Sequence, residues 1–436
     1  MRKLLAALAL AVPALAAAQA AAPAKADSGD TALVLISAGL VLLMTPGLAF
    51  FYGGLVRAKN VVHTMNLSLI CMGLVGVLWV LVGYSLAFAP GGGHDKFVGG
   101  LEWAGLIGVG AAPEPSLAPT VPHLAFMLFQ AMFAVITPAL ISGALVERIR
   151  IKAFVLFAAL WSLLVYTPVA HWVWAPGGWL RGLGALDFAG GTVVHINAAA
   201  AALVGAVLLG KRRGLRAPTT IPHNVPFAIL GAGLLWFGWL GFNGGSALAA
   251  NGLAAYAFTN TFVAPAAATA AWGVTELWLH GKVSGVGLAS GAVAGMVAIT
   301  PAAGFVTPLS ALGLGALAAL ASFGAVRIRP RLGLDDSLDV FAVHGVAATL
   351  GALLTGVLAS KAVNEAGADG SLKLLGIQLV GVVATLAWSG TLSFALLKLV
   401  NMITPIRADE QDEWTGLDQS DAGERAYVND EGATAI

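Results

Sequence analysis

The chain has 436 residues, of which 58% are hydrophobic and only 10% are charged, and its net charge is +1. A soluble domain of this size needs a charged shell of about a quarter of its residues. This composition therefore excludes an ordinary water-soluble protein and indicates a lipid environment. The small net charge gives no sign of a nucleic-acid partner, and the single cysteine, Cys71, excludes an intrachain disulfide.

The first twenty residues have the features of a secretory signal peptide. Two basic residues precede an apolar run over 4–18, which ends in the small-x-small pattern Ala18-Gln19-Ala20. The alternative is a first membrane helix, but the run is short and the polar stretch 25–30 follows it. We therefore expect a cleaved signal peptide over 1–20.

Eleven mostly apolar segments follow, and most have the length of about 20 residues that a membrane-spanning helix needs. In chain order they cover 31–52, 65–88, 121–146, 153–175, 191–210, 225–249, 256–280, 283–300, 308–326, 339–358 and 374–400. The sequence therefore predicts an all-α polytopic membrane protein, with a transmembrane domain over 21–400 and a polar tail over 401–436.

Charges in the connecting segments predict the orientation. If the mature N-terminus lies outside, the cytoplasmic connections carry thirteen Lys and Arg residues and the outer ones carry four. Basic residues accumulate on the cytoplasmic side of membrane proteins. We therefore expect a periplasmic N-terminus and a cytoplasmic tail, which is either a solvated extension or a regulatory segment.

The fifth and tenth segments resemble each other. Each has an acidic residue, Asp187 or Asp339, shortly before a Val–His pair that contains His195 or His344, and an Ala-rich helix follows. Segments one to five and six to ten begin on opposite sides of the membrane. This pattern predicts an inverted five-helix repeat plus a peripheral eleventh helix, with the two histidines facing each other near the midplane.

Polar groups within these segments are candidates for a site, because they are costly in hydrocarbon. His195 and His344 are either two separate structural histidines or a pair that binds a small polar molecule or relays a proton. Asp187 is expected to cap the turn at Gly190–Thr192, to stabilise a cation at the outer mouth, or both. Asp339 is expected to cap the corresponding turn on the cytoplasmic side.

Aromatic residues form a second candidate group. Trp174 ends the fourth segment, Phe129 and Phe133 share a face of the third, and Phe242 precedes Ser246 by one helical turn in the sixth. Individually, each aromatic residue is typical of a lipid belt or of packing. Together they are able to form a cation-binding cup, to which Ser246 adds a hydroxyl acceptor.

Five segments of the chain resemble the ammonium transporter (Amt/Mep/Rh) family, and its bacterial Amt branch in particular. They are Pro46-Gly-Leu-Ala-Phe-Phe-Tyr-Gly-Gly-Leu-Val-Arg57, Gly143-Ala-Leu-Val-Glu-Arg-Ile149, Asp187-Phe-Ala-Gly-Gly-Thr-Val-Val-His-Ile-Asn197, Gly238-Trp-Leu-Gly-Phe-Asn-Gly-Gly-Ser246 and Asp339-Val-Phe-Ala-Val-His-Gly345. They extend over nearly the whole mature chain and occur in the family's order. The resemblance implies a homotrimer in a bacterial inner membrane, with one pore per subunit and ammonium, or its analogue methylammonium, as substrate.

The resemblance also implies a role for eight residues. These are Trp174, Phe129 and Ser246 in an outer ammonium-recruitment site, Phe133 and Phe242 in a phenylalanine gate, His195 and His344 as a twin-histidine pair in the pore, and Asp187 as a supporting acid. The tail motif Gly416-Leu-Asp-Gln-Ser-Asp-Ala-Gly-Glu424 resembles a cytoplasmic segment that can engage a PII-type regulatory protein. It departs from the bacterial pattern at Ala422, where histidine is frequent.

The resulting hypothesis is electrogenic transport, in which ammonium loses its proton near the gate and ammonia passes the histidines. The alternatives are an electroneutral channel for gases such as ammonia or carbon dioxide, and an ammonium sensor that uses the same pore. No enzyme, cofactor or metal site is expected, because the chain has no His-Glu-x-x-His pattern or recognisable nucleophile–base spacing.

Overall fold

The computed structural model describes residues 25–214 and 222–427. The expected signal peptide over 1–20 lies outside these residues. The described chain consists of helices and turns, and its β pairing is confined to two isolated bridges. The all-α architecture expected from the sequence is therefore confirmed.

Eleven long helical segments cross the molecule in the expected order. They are α1 Ser28–Leu55, α2 Ala58–Phe88, α3 His123–Leu145, α4 Ile151–Leu183, α5 Gly191–Leu209, α6 Val225–Ala247, α7 Gly252–His280, α8 Gly285–Ile299, α9 Pro308–Leu332, α10 Phe341–Leu358 and α11 Leu372–Ile403. Among the described residues, nine of them are long and apolar enough to cross a membrane; α7 is less apolar and α8 has only 15 residues. The chain is thus a polytopic membrane protein.

The helices pack as two halves with one additional helix. The first helices of the halves, α1 and α6, lie against each other along much of their length, and α11 packs outside against α4, α5 and α10. Large apolar side chains such as Trp278 and Leu372 remain exposed at the perimeter, where lipid replaces water as the solvent.

Small residues allow some helices to approach at backbone distance. Gly315 on α9 lies against α7, and a Cβ atom at this position would overlap the carbonyl oxygen of Ala264. Gly313, two residues earlier on the same helix, faces open space. Close contact at small residues is a principal source of helix association in membranes.

Two helices that carry predicted site residues begin with π-helical turns. Gly191–Ile196 opens α5 and Phe341–Val346 opens α10. Such turns are rare and occur frequently at functional sites, because the wider turn changes the direction in which a side chain projects. His195 and His344 lie in these two turns.

A buried ionic cluster joins the loops at the predicted cytoplasmic end of the bundle. Glu147 pairs with Arg57 at 2.7 Å and with Arg212 at 3.3 Å, and Asp335 pairs with Arg148 at 2.9 Å and with Arg212 at 2.8 Å. Burial raises the pKa of Glu147, but the charges of Arg212 and Arg57 outweigh it and hold the pKa below its usual value. Glu147 is therefore an ionised carboxylate that pairs with positively charged arginines.

The tail packs against this end of the bundle as far as residue 427. The Asp418 carboxylate accepts a hydrogen bond from the backbone N–H of His63 at 2.8 Å, and the Asn60 side chain accepts one from the backbone of Leu417 at 2.8 Å. Arg407 pairs with Glu413 at 2.6 Å. The described part of the tail is therefore docked on the bundle rather than extended into solvent.

Candidate functional site

The two predicted pore histidines are in direct contact. Nδ1 of His195 lies 3.2 Å from Nδ1 of His344, and the rings are nearly parallel at 21° with their centroids 5.3 Å apart. Both residues are buried, with 1% and 3% of their surfaces exposed. A neutral pair with this contact must have one Nδ1 that donates and one that accepts, so the two rings take different tautomers. This contact joins the entry turns of α5 and α10, one from each half of the bundle.

Asp187 determines how α5 begins. Its Oδ1 accepts hydrogen bonds from the backbone of Gly190 and Gly191, at 2.8 and 2.7 Å, and its Oδ2 accepts them from Thr192 and Val193, at 2.8 and 3.1 Å. One carboxylate thus satisfies four amides that have no partner inside the helix. The expected capping of this turn by Asp187 is confirmed.

The corresponding residue of α10 is Asp336, and the expectation that Asp339 caps this turn is wrong. Asp336 accepts hydrogen bonds from the backbone of Val340 at 3.0 Å and of Phe341 at 2.7 Å. Asp339 pairs instead with Arg329, at 3.1 Å. The capping acid is therefore one turn further from the histidine than the sequence comparison placed it.

Backbone conformation explains this correction. The two histidines are 149 residues apart, and the same offset pairs Asp187 with Asp336 and Gly190 with Asp339. Gly190 has φ 114° and Asp339 has φ 59°, so both occupy the left-handed region at the entry to the turn. Aspartate is one of the few side chains that adopt this region.

Two phenylalanine rings lie against each other on the predicted outer side of the histidines. The centroids of Phe133 and Phe242 are 4.3 Å apart at 38°, and both residues are buried. Phe242 is also 6.1 Å from the His195 ring. The predicted gate residues are thus adjacent to each other and to the first histidine.

Trp239 is a further member of this arrangement that the sequence analysis did not identify. Its ring stacks on His195 at 5.3 Å and 17°, and its indole N–H donates to the hydroxyl of Thr300 at 2.8 Å. The sequence could have indicated Trp239, because this residue lies three positions before Phe242 in the segment Gly238–Ser246. Residues three apart share a helix face, so Trp239 and Phe242 project to the same side.

A cavity of about 110 Å³ lies against Phe133 of the phenylalanine pair, on its predicted outer side. Its walls include Phe133, Trp174 and Ser246 from the predicted recruitment and gate residues. The indole N–H of Trp174 donates to the carbonyl of Asp187 at 3.0 Å, which fixes the ring, and the Ser246 hydroxyl donates to the carbonyl of Phe242 at 2.8 Å. The lone pairs of the Ser246 hydroxyl oxygen remain available to a ligand.

Phe129 does not belong to the wall of this cavity. It is fully buried beside Phe133, with the ring centroids 5.0 Å apart at 79°. On α3 the residues that line the cavity are Phe126, Gln130 and Phe133, whose spacing of four and three residues defines one helix face. Gln130 and Arg181 are polar residues of the cavity wall that the sequence analysis missed.

Within the described ranges, no group of three or more His, Cys, Asp or Glu side chains is arranged to hold a metal ion. The site instead combines aromatic rings, a hydroxyl group and a buried imidazole pair in a bundle of membrane helices. Polar and aromatic groups gathered inside a bundle of membrane helices, next to a cavity, are typical of a membrane transport protein.

Comparison with known proteins specifies the family. The sequence profile of the Ammonium Transporter Family matches residues 32–427. An ammonium transporter of Bacillus subtilis (strain 168) is 50% identical over 404 residues, which cover 92% of this chain and 98% of the relative. The chain belongs to the ammonium transporter family, and the resemblance inferred from its motifs is confirmed.

Solved structures agree with this assignment. The crystal structure of Saccharomyces cerevisiae Mep2 superposes with a TM-score of 0.83 at 36% identity, covering 88% of each chain. The structure of a protein named Sensor Amt Protein superposes with a TM-score of 0.82 at 28% identity, covering 90% of this chain and 98% of that one. Proteins with this architecture thus include both transporters and a sensor by name.

Proposed function

We propose that this protein carries ammonium across a bacterial inner membrane, binding the cation at its outer mouth and passing it inward as ammonia. The observation that carries the proposal is the buried contact of 3.2 Å between His195 and His344, directly behind the Phe133–Phe242 pair. Family membership supports the substrate, since the relatives that match most of this chain are named ammonium transporters.

Recruitment begins in the outer cavity. The Trp174 ring presents a π face that attracts a cation with about 0.5–2 kcal/mol per good contact, and Ser246 contributes hydroxyl lone pairs. Phe129 acts from behind Phe133, as a packing partner that fixes the ring of Phe133. Asp187 supports the site through the turn that it caps and through its carbonyl contact with Trp174.

Deprotonation follows at the gate. A bare cation in a narrow apolar path costs at least a few kcal/mol, whereas ammonia has no charge to desolvate. Potassium has no proton to release and is therefore excluded. The proton of ammonium passes to the imidazole pair, where Nε2 of His195 is buried without a hydrogen-bond partner among the described residues. Because ammonia and the proton both move inward, transport is electrogenic.

Solid-supported-membrane electrophysiology on the purified protein tests this mechanism. Ammonium and methylammonium are expected to give currents, and potassium is expected to give none. Replacing both histidines by leucine should abolish the selective ammonium current, because the proton then has no path. Full selective current in that variant, or uptake without any current in the wild-type protein, would contradict the proposal; the second result would favour the electroneutral alternative.

A sensor remains the second candidate, because the Sensor Amt Protein shares the fold. A sensor binds ammonium without net translocation. Binding of methylammonium to protein that gives no current and no uptake in liposomes would identify this function.

Assembly, orientation and regulation are part of the same proposal. We infer a homotrimer from the family resemblance, and native mass spectrometry tests this stoichiometry. The thirteen-to-four distribution of basic residues supports a periplasmic N-terminus and a cytoplasmic tail. The tail motif around Ala422 is proposed to meet a PII-type protein, which a pull-down with and without residues 416–436 tests.

A further inference from the structure

Gln130 occupies a position that neither the gate nor the recruitment residues explain. It lies on α3 three residues before Phe133, hence about 4.5 Å further along the helix toward the outer end. Its side chain lines the outer cavity together with Trp174 and Ser246. Only 9% of the residue is exposed.

The carboxamide of Gln130 is buried without a complete set of partners. Its Oε1 makes no hydrogen bond to any of the described residues. Leaving a buried polar atom unpaired costs about 1–3 kcal/mol, so such groups usually meet a water or a ligand. Gln130 lines the outer cavity, and a half turn of its terminal torsion exchanges the positions of the oxygen and the nitrogen relative to that space.

The cavity offers few acceptors for a cation with four N–H donors. Its lining residues include no carboxylate, and Asp187 uses both of its oxygens on backbone amides. Among the side chains that line the cavity, the groups able to accept from a cation are the Ser246 hydroxyl, the aromatic faces and the Gln130 carboxamide. A neutral acceptor suits a transient site, because it replaces one water of the cation without binding it as tightly as a carboxylate does.

We propose that Gln130 is a further substrate-coordinating residue, whose carboxamide oxygen accepts a hydrogen bond from ammonium in the outer cavity before the cation reaches Phe133. The inference rests on the proposed function, since it names a ligand for the cation that this function requires. It makes α3 a source of both an acceptor and a gate ring, one turn apart.

Currents from the purified full-length protein over a series of ammonium concentrations test the proposal. Gln130→Leu keeps the approximate volume but removes the acceptor, and it should raise the half-saturating concentration about tenfold, equivalent to about 1.4 kcal/mol, with little change in maximal current. Gln130→Glu keeps an acceptor oxygen at the same distance from the backbone and should not raise the half-saturating concentration. Leu128→Ala, on the exposed face of the same helix, is the matched control.

The outcomes separate this inference from the proposed function. If the wild-type protein conducts ammonium but Gln130→Leu has the same half-saturating concentration, the coordinating role is wrong and the transport function stands. If the wild-type protein gives no ammonium current or uptake, the proposed function itself fails. A lower unfolding temperature and a lower maximal current in both Gln130 variants, at constant half-saturation, would show a structural role and overturn the inference. Should Gln130→Leu not fold, Gln130→Asn withdraws the amide by one methylene and is expected to raise half-saturation in the same way.

Discussion

Arg181 is a residue whose charge opposes the function of the cavity that it lines. Its guanidinium donates a hydrogen bond to the carbonyl of Trp174 and so holds the backbone of the recruitment residue. The same group places a permanent positive charge on the wall of a cavity proposed to receive a cation. Positioning and repulsion therefore come from one side chain, and the repulsion is moderated because Arg181 is partly solvated.

We predict that Arg181→Gln lowers the half-saturating ammonium concentration by about two- to fivefold at low ionic strength, the range expected for a partly screened charge. The glutamine amide still reaches toward the Trp174 carbonyl, whereas Arg181→Lys keeps the charge and should behave like the wild-type protein. Currents recorded at low and high salt measure the effect. If Arg181→Gln lowers the half-saturating concentration by the same factor in high salt, the cause is not electrostatic.

At the scale of elements, the entry turns of α5 and α10 show how a single carboxylate positions a buried histidine. Asp187 accepts four backbone hydrogen bonds, whereas Asp336 accepts two. Each such bond to a charged group contributes about 1.5–3 kcal/mol. The orientation of His195 therefore depends more strongly on its cap than that of His344 does.

The matched variants Asp187→Asn and Asp336→Asn test this difference. Asparagine keeps one acceptor oxygen, but it replaces the second oxygen by an NH₂ group. This group is a donor and cannot accept hydrogen bonds from the backbone N–H groups that the second oxygen served. Asp187→Asn should therefore lower the unfolding temperature in detergent more than Asp336→Asn does, and should reduce ammonium current. Equal effects of the two substitutions would argue against the capping account.

Close helix contact is a second property of the elements. We predict that Gly315→Ala destabilises the protein by about 1–3 kcal/mol, as overpacking does, because the added methyl group would meet the carbonyl of Ala264 on α7. Gly313→Ala on the same helix adds a methyl group to open space and should have little effect. Thermal unfolding of the two purified variants compares them directly, and similar unfolding temperatures would exclude a specific contact at Gly315.

At the scale of the whole molecule, the ionic cluster connects loops that are distant in the chain. Burial raises the pKa of Asp335, but hydrogen bonds and charges from Arg212 and the charge of Arg148 lower it to about 2, below its ordinary value of 3.8. A carboxylate with a depressed pKa stabilises the folded state above its unfolded value and loses this contribution as the pH falls. Asp335 thus contributes fully above pH 3.8, and its contribution declines toward pH 2.

We predict that Asp335→Asn lowers the unfolding temperature near neutral pH, because it leaves the buried charges of Arg148 and Arg212 without this partner. The difference from the wild-type protein should narrow as the pH falls from about 3.8 to about 2, where Asp335 itself becomes protonated. Asp409→Asn is the control, since Asp409 is mostly exposed in its pair with Arg150. A difference that stays constant down to pH 2 would show that the charge of Asp335 is not responsible.

Much of the fold and part of the site could be predicted from local sequence. Long apolar runs and the distribution of basic residues predict a polytopic helical protein, because hydrocarbon requires satisfied backbone groups. The Asp187–Asn197 segment and its counterpart around His344 indicated the histidine pair. Gln130 and Arg181 were not identified because each is a single polar residue, the first inside α3 and the second near the end of α4, and only packing determines that they line the cavity.

The sequence by itself determined the number and order of the long helices, the polar residues within them and the family, since periodicity, length and motif spacing are local properties. Only the tertiary structure decided that Asp336 rather than Asp339 caps α10, because Asp339 occupies the left-handed position that Gly190 occupies in α5, three residues after the capping acid. It also decided that Phe129 lies behind the cavity wall while Trp239 stacks on His195. These positions depend on the rotation of each helix about its axis, which is fixed by contact between segments far apart in the chain.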